Sequence, residues 1–218
     1  MKGREFKDAM YNGLAKMLKA ISNPSRLEII EMLSQGEKSV EGIVRTTSLT
    51  FANASQHLQV LKNNNIVKSR KERQYVYYSL VNDDFLSVYQ HIIRFASQEI
   101  AELERIMSRQ RQDNNSHHAV SLVELEQMVE GGNVLLLDVR PSLEYEFGHI
   151  TGAISIPMNE LLTNLKNIAS DKEVIAYCRG PFCVLADEAV KLLKEKGYKV
   201  RRLDEGYPEW KIKQSISN

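Results

Sequence analysis

The sequence predicts two domains of different class: a mainly α-helical domain that ends in a β-hairpin, and an α/β domain with a parallel sheet. The first half shows helical periodicity and then two strand-like segments, whereas the second half alternates buried strand-like runs with helices. A polar segment without apolar periodicity separates them. We therefore expect domains at residues 1–112 and 119–218, joined by a linker at 113–118.

The two halves also differ in charge. Residues 1–112 hold 17 basic and 12 acidic side chains, a net charge of +5, whereas residues 113–218 hold 12 and 16, a net charge of −4. A basic first half suits a polyanionic partner, and an acidic second half suggests a different one.

The chain shows no apolar run long enough to span a membrane and no apolar stretch near Met1 of the kind that a signal peptide needs. Its two cysteines, Cys178 and Cys183, provide no disulfide framework. We therefore expect a cytoplasmic protein without a bound cofactor.

Four helices are predicted in the first half, and polar residues mark where they begin. Asn23, Ser39, and Thr50 or Phe51 start the second, third and fourth helices, because short polar side chains cap helix N-termini. The four helices span roughly residues 3–20, 24–36, 40–45 and 50–63.

The third and fourth helices are joined by the four residues 46–49, which is the spacing of a helix-turn-helix. Ala54, Leu58 and Leu61 recur at helical spacing and are predicted to face inward. The side chains left outward are short amides and a hydroxyl, which suit base edges in the major groove. They are Asn53, Ser55, Gln56 and Gln59.

Residues 66–70 and 74–80 follow as two strands of a hairpin. Basic side chains at its tip, Arg70, Lys71 and Arg73, are placed to contact phosphate oxygens. Each feature alone also fits a solvated helix or a charged turn. Their order along one segment favours a winged helix-turn-helix that binds DNA.

Three segments carry a resemblance to the ArsR family of bacterial repressors: residues 19–33, 55–61 and 75–80. The likeness covers roughly residues 8–100. It implies a homodimer, paired through its first and last helices, on a palindromic double-stranded operator. A predicted helix from Asp83 or Asp84 to about Arg111 carries a roughly heptad apolar seam that fits this role. Its seam residues are Phe85, Tyr89, Ile92, Ala96 and Leu103.

Many members of this family sense metals with cysteines in the third helix, and this sequence has none there. Asp84, His91 and Glu99 do not form a spaced set of ligands, and His117-His118 is a weak pair. We therefore expect no metal site.

In the second half, buried strands are predicted near residues 134–139, 173–177 and 199–203. Cys178 follows the second of these strands, and a helix over 184–196 comes after the loop. Sites in open α/β sheets gather at the carboxyl ends of strands. Backbone N–H groups near the helix start and the Arg179 guanidinium are expected to lower the pKa of Cys178. The competing interpretation is a structural cysteine in a core.

Four segments resemble a single rhodanese domain over about residues 119–214: 137–140, 144–157, 178–183 and 203–210. The resemblance implies that Cys178 carries sulfane sulfur as a persulfide, cradled by the backbone of residues 179–183, including Gly180 and Phe182. Cys183 is either a resolving thiol or a packing residue. Asp138, Arg140 and His149 are expected to be structural.

The loop departs from the rhodanese pattern in two places. Pro181 stands at the fourth position, where glycine is usual, and has no N–H to donate. Cys183 stands at the sixth, where arginine, serine or threonine is common. Thiosulfate turnover is therefore in doubt. We expect a DNA-binding transcriptional repressor whose rhodanese domain carries or senses sulfane sulfur through Cys178. The alternative is a sulfurtransferase whose first domain localises or dimerises it.

Overall fold

The computed structural model describes residues 3–114, 118–169 and 171–217, with side chains up to residue 215. These residues form two compact units, Met1–Leu86 and Ser87–Asn218. The predicted linker at 113–118 and His117 lie partly or wholly outside the described residues. Within the described part of the chain, no helix has the length and apolar character needed to cross a membrane.

The first unit begins with four helices, close to the predicted bounds. They are α1 (Gly3–Ile21), α2 (Pro24–Ser34), α3 (Val40–Thr46) and α4 (Phe51–Asn63). Asn23 and Ser39 accept hydrogen bonds from backbone N–H groups at the starts of α2 and α3, and Thr50 does the same for α4 at 3.3 Å. The predicted caps are confirmed, with Thr50 as the cap of α4.

A three-stranded antiparallel sheet completes the first unit. The strands β1 (Lys38–Ser39), β2 (Val67–Glu72) and β3 (Tyr75–Leu80) lie in the order β1-β3-β2. The two-residue strand β1 was not predicted, because two residues carry no alternation. Arg73 turns the β2–β3 hairpin with a φ of 54°, in the left-handed region that a tight hairpin turn requires.

The helix predicted to run to about Arg111 is in fact two helices, α5 (Asp83–Glu99) and α6 (Ala101–Asp113). Ile100 separates them in an extended conformation. The cap is Asn82 rather than an aspartate: its side-chain oxygen accepts the Phe85 N–H at 2.9 Å. The prediction of a single helix capped by Asp83 or Asp84 was therefore wrong.

The second unit contains a parallel sheet of four strands. The strands β4 (Val134–Asp138), β5 (Ile154–Ser155), β6 (Glu173–Tyr177) and β7 (Val200–Arg202) lie in the order β5-β4-β6-β7. The α-helices around them are α7 (Leu122–Glu130), α8 (Ser142–Phe147), α9 (Leu185–Glu195) and α10 (Tyr207–Ser217). Between β5 and β6 lie two short 3₁₀ segments, Met158–Thr163 and Leu165–Asn167.

Alternating residues of β4 and β6 belong to two separate hydrophobic cores, one on each face of the sheet. Leu137 and Val174 pack with α9 on one face, while Leu136 and Ile175 pack on the other. This is the period of two that a strand imposes. Cys178 and Cys183 belong to the α9 side, so the loop that follows β6 is anchored in a core.

Candidate functional site

The fourth helix presents a polar face, as predicted. Ala54, Leu58 and Leu61 are fully buried, and they hold α4 in the first unit. On the other side Asn53, Gln56 and Gln59 are exposed, and Ser55 is half-buried. Gln59 Nε2 donates to the Tyr78 hydroxyl at 3.3 Å, so this side chain is partly engaged by the wing.

At the wing, the predicted basic residues divide into two groups. Lys71 and Arg73 are exposed at the hairpin tip. Arg70 instead forms ion pairs with Glu37 and Glu72 and lies 4.8 Å from the centre of the Tyr77 ring. The pair lowers the pKa of Glu37. Arg70 is therefore already paired with two carboxylates, whereas phosphate contact by Lys71 and Arg73 stays a prediction.

The predicted dimer residues also need a correction. Tyr89 is 7% exposed, so it packs inside the protomer and is not available to a partner. Phe85, Ala96 and Leu103 are half-buried, and Ile92 is exposed. The apolar residues that α5 exposes at helical spacing are Val88, Ile92 and Phe95.

In the second unit, the loop of residues 178–183, which we call the thiol loop, joins β6 to α9. Gly180 has a φ of +136°, a conformation that side chains with a Cβ rarely adopt. Its carbonyl accepts the Cys183 N–H at 3.2 Å, which closes the turn. Phe182 is exposed at the outside of the loop.

Gly206, the residue before α10, packs directly against the backbone of the thiol loop. A Cβ on Gly206 would lie 2.5 Å from the Cys178 carbonyl oxygen and from the Gly180 nitrogen, so the two backbones are in close contact. Glu209 accepts the Gly206 N–H at 2.8 Å and fixes this approach. The position of the loop backbone therefore depends on a glycine distant in sequence.

The pKa values of the two thiols shift in opposite directions, and the lowered one belongs to Cys183 and not to Cys178. Burial raises the pKa of Cys178 well above its usual range, and its Sγ lies 3.4 Å from the Cys183 carbonyl oxygen as a donor. The pKa of Cys183 is lowered because the Cys178 thiol and the N–H groups of Arg179 and Leu185 donate to its sulfur. The lowering expected for the pKa of Cys178 is thus outweighed by burial, although the Ala186 N–H donates to its sulfur, whereas two backbone N–H groups donate to Cys183.

Arg179 does not serve Cys178 as predicted. Its guanidinium forms a two-pronged ion pair with Glu144, with both N–O distances at 3.0 Å, and the Glu144 side chain is 2% exposed. This pair ties the thiol loop to α8. The cation that lowers the pKa of Cys178 is Arg202 on β7, although burial outweighs it.

Comparison with known proteins matches both halves of the chain. The profile of "Bacterial regulatory protein, arsR family" matches residues 23–69, and that of "Rhodanese-like domain" matches residues 121–213. "HTH-type transcriptional regulator Rv0324" of Mycobacterium tuberculosis is 36% identical over 206 residues, which are 94% of this chain and 90% of that protein. The chain belongs to the ArsR family of bacterial regulatory proteins.

Other relatives match this regulator over one domain. The "Cadmium resistance transcriptional regulatory protein CadC homolog" of Staphylococcus aureus is 44% identical over 68 residues, which are 31% of this chain and 56% of that protein. The solution structure of a homodimeric winged helix-turn-helix DNA-binding domain from Mycobacterium bovis is 31% identical and covers 46% of this chain and 91% of that one, with a TM-score of 0.43. The regulator is thus an ArsR-type helix-turn-helix with a rhodanese-like domain behind it.

The regulator also contains buried charges that sequence reasoning missed. Arg202 Nη1 lies 2.9 Å from both carboxylate oxygens of Asp187, and both side chains are almost fully buried. The spacing of these residues could have revealed the pair. Arg202 lies two residues after Val200 and so on the same face of the strand, and Asp187 lies one helical turn before Val190; both Val200 and Val190 are buried. Charges at core positions indicate a pair. A further ion pair, between Asp138 and Arg140, is fully buried with an N–O distance of 2.6 Å, in agreement with the structural role expected for both residues.

Breaking the buried pair is expected to destabilise the second unit. Arg202→Met leaves the Asp187 carboxylate uncompensated, which should cost about 3–5 kcal/mol of the free energy of unfolding. The fluorescence of Trp210, the single tryptophan of the chain, reports urea unfolding of this unit. The double variant Asp187→Leu/Arg202→Met is the matched control and should recover most of the loss. A single variant as stable as the wild type would contradict this account.

Proposed function

We propose that this regulator represses transcription as a homodimer on a palindromic operator, and that sulfane sulfur on its thiol loop changes its affinity for that operator. The observation that carries the DNA-binding part is the exposed amide face of α4 beside a wing with free basic side chains. Asn53, Ser55 and Gln56 would contact base edges. Lys71 and Arg73 would contact phosphates.

Unpartnered apolar surface supports the homodimer. Helix α1 exposes a row of large apolar side chains at helical spacing: Phe6, Met10, Tyr11, Leu14 and Leu18, each at least 45% exposed. Helix α5 exposes Val88, Ile92 and Phe95. Rows of this kind in water favour burial against a partner. A second copy of the chain is the partner that the ArsR resemblance implies.

The thiol loop supports the sensing part. Two thiols lie within one tight loop, and the loop is fixed by Glu144, Gly206 and Glu209. Because these contacts are close, a sulfur atom added at Cys178 cannot be accommodated without movement. Helix α6 lines a cavity together with this loop and is separated from α5 by Ile100 alone. A change in the loop can therefore shift α6, and through α6 it can shift α5, the helix proposed to pair in the dimer.

Operator binding measured before and after treatment with inorganic polysulfide tests this function. We expect the wild type to lose about 5–150-fold in operator affinity, the range of typical allosteric coupling. Cys178→Ser should bind the operator as the untreated wild type does, with or without polysulfide. If all four affinities agree, sulfur sensing is excluded while DNA binding stands.

The sulfurtransferase alternative predicts a different result. Pro181 removes one N–H from the loop, and Cys183 supplies no fixed cation for a sulfonate group. The guanidinium of Arg179 is already occupied by Glu144. We therefore expect slow thiosulfate:cyanide sulfur transfer. Rapid turnover by a chain that shows no salt-sensitive DNA binding would favour the enzyme instead.

A further inference from the structure

A cavity of about 290 Å³ lies within the second unit, between α6 and the thiol loop. Its walls are largely apolar, with α6 on one side and the outer residues of the loop on the other. The apolar side chains that line it are Leu103, Ile106, Met107, Pro181, Phe182 and Val184. A cavity of this size and character suits a small ligand with an apolar body.

The floor of the cavity carries a guanidinium group. Arg202 lines the cavity and is 1% exposed. Its Nη1 is held by Asp187 and its Nε donates to the Leu203 carbonyl at 3.2 Å. Among the described residues, none accepts a hydrogen bond from its Nη2. A guanidinium N–H that lines a cavity can donate a charge-assisted hydrogen bond to an anionic acceptor there.

The two thiols differ in their access to this cavity. Cys183 lines it, whereas Cys178 does not. Cys178 is 2% exposed, and its thiol faces Cys183 within the loop, with its Sγ 3.4 Å from the Cys183 carbonyl oxygen. The lowered pKa of Cys183 also favours the thiolate that attacks sulfur.

We propose that this cavity binds a small organic hydropersulfide, R–S–S–H, and that Cys183 takes up its sulfane sulfur before Cys178 reacts. The apolar R group would lie against α6 and Phe182. Arg202 Nη2 would donate to the thiolate that departs. This inference rests on the proposed sensing function and names its ligand class and its entry thiol.

The chemistry balances without a further oxidant. The Cys183 thiolate attacks the terminal sulfur of R–S–S–H, the S–S bond of the donor breaks, and R–S⁻ leaves with the bonding pair. Cys183 then carries –S–S–H. The Cys178 thiol attacks the inner sulfur of this group, which gives the Cys178–Cys183 disulfide and releases H₂S. The persulfide is reduced and the two thiols are oxidised.

The cavity also selects against polar donors. Glutathione persulfide brings two carboxylates and an ammonium group, and thiosulfate brings two negative charges. The two cations that line the cavity, Arg111 and Arg202, already pair with Asp204 and Asp187, so several added charges would lose their hydration with few partners to replace it. A donor with an apolar R group should therefore react faster.

Persulfide capture by the full-length Cys178→Ser variant tests this proposal, because Cys183 then cannot be resolved. Benzyl hydropersulfide and glutathione persulfide are compared, and the mass of the loop peptide is followed over time. We expect one added sulfur on Cys183, about 10–200-fold faster from the benzyl donor. In the same background, Ile106→Trp should slow capture from the benzyl donor by filling the cavity. Val129→Trp replaces an equally accessible apolar residue of α7 and should leave capture unchanged.

The matched variant Cys183→Ser decides which thiol reacts first. We expect it to gain no sulfur from the benzyl donor on the time scale of the Cys178→Ser reaction. If Cys178 in this variant gains sulfur at the rate of the wild type, the proposal fails. That result would leave the proposed function intact, since operator release on polysulfide treatment tests it separately. Equal rates from both donors would overturn the apolar cavity as the site of entry.

Discussion

The Phe95→Glu variant is expected to be a monomer that has lost most of its affinity for the operator. Phe95 is 66% exposed on α5 in the same row as Val88 and Ile92. A carboxylate placed in an apolar interface loses its hydration without gaining a partner. A monomer reaches one half-site only, so the loss should be about 10²–10⁴-fold, the range of the avidity gained by linking two binding modules.

Sedimentation and fluorescence anisotropy on a labelled operator measure the two consequences together. Val129→Glu is the matched control, because Val129 is a comparably exposed apolar residue on α7. It should remain dimeric and bind as the wild type does. Tyr11→Glu, in the exposed apolar row of α1, should cause the same loss of dimerisation and of operator affinity. A dimeric Phe95→Glu protein with unchanged operator affinity would contradict the assignment of α5 to the interface.

Replacement of Gln56 is expected to weaken binding to the operator and not to unrelated DNA. Gln56 is exposed on α4, opposite the buried residues that fix the helix. A two-pronged amide contact with adenine contributes about 1–3 kcal/mol of discrimination, so Gln56→Ala should lose roughly 5–150-fold in operator affinity. Its affinity for DNA of random sequence should stay unchanged, since phosphate contacts carry that binding.

The control for Gln56→Ala is Gln127→Ala, an exposed glutamine on α7 in the second unit. Both proteins are titrated against the operator and against random DNA at one salt concentration. Equal losses on both DNA sequences would assign Gln56 to phosphate contact. No loss on either would remove it from the DNA interface.

Local signals in the sequence were sufficient for most of the fold. Helix caps such as Asn23 and Ser39 depend only on a hydrogen bond to a backbone N–H three residues later, and both were predicted correctly. The helical period of 3.6 likewise placed α4, and the apolar character of buried strands placed β4 and β6. The single predicted helix over α5 and α6 failed at Ile100, because an apolar residue at that position carries no signal for a break.

The site was predicted less well because its chemistry depends on residues far apart in sequence. Arg70 and Arg179 were assigned as free cations, yet Glu37 and Glu144 neutralise them from 33 and 35 residues away. The spacing of a motif does not show which carboxylate folds against which arginine. Similarly, Cys178 and Cys183 occupy one short loop, and only their burial and donors show which sulfur favours the charge.

Simultaneous measurement of operator release and loop chemistry tests the central claim most directly. Polysulfide is titrated into the wild-type protein on a labelled operator. Part of each sample is used to measure the anisotropy of the operator, and the rest is used for mass analysis of the peptide that contains residues 178–183. The account predicts that the released fraction rises in proportion to the fraction of loops carrying sulfur on Cys178 or a Cys178–Cys183 link. A fully modified loop on a protein that still holds its operator would contradict it.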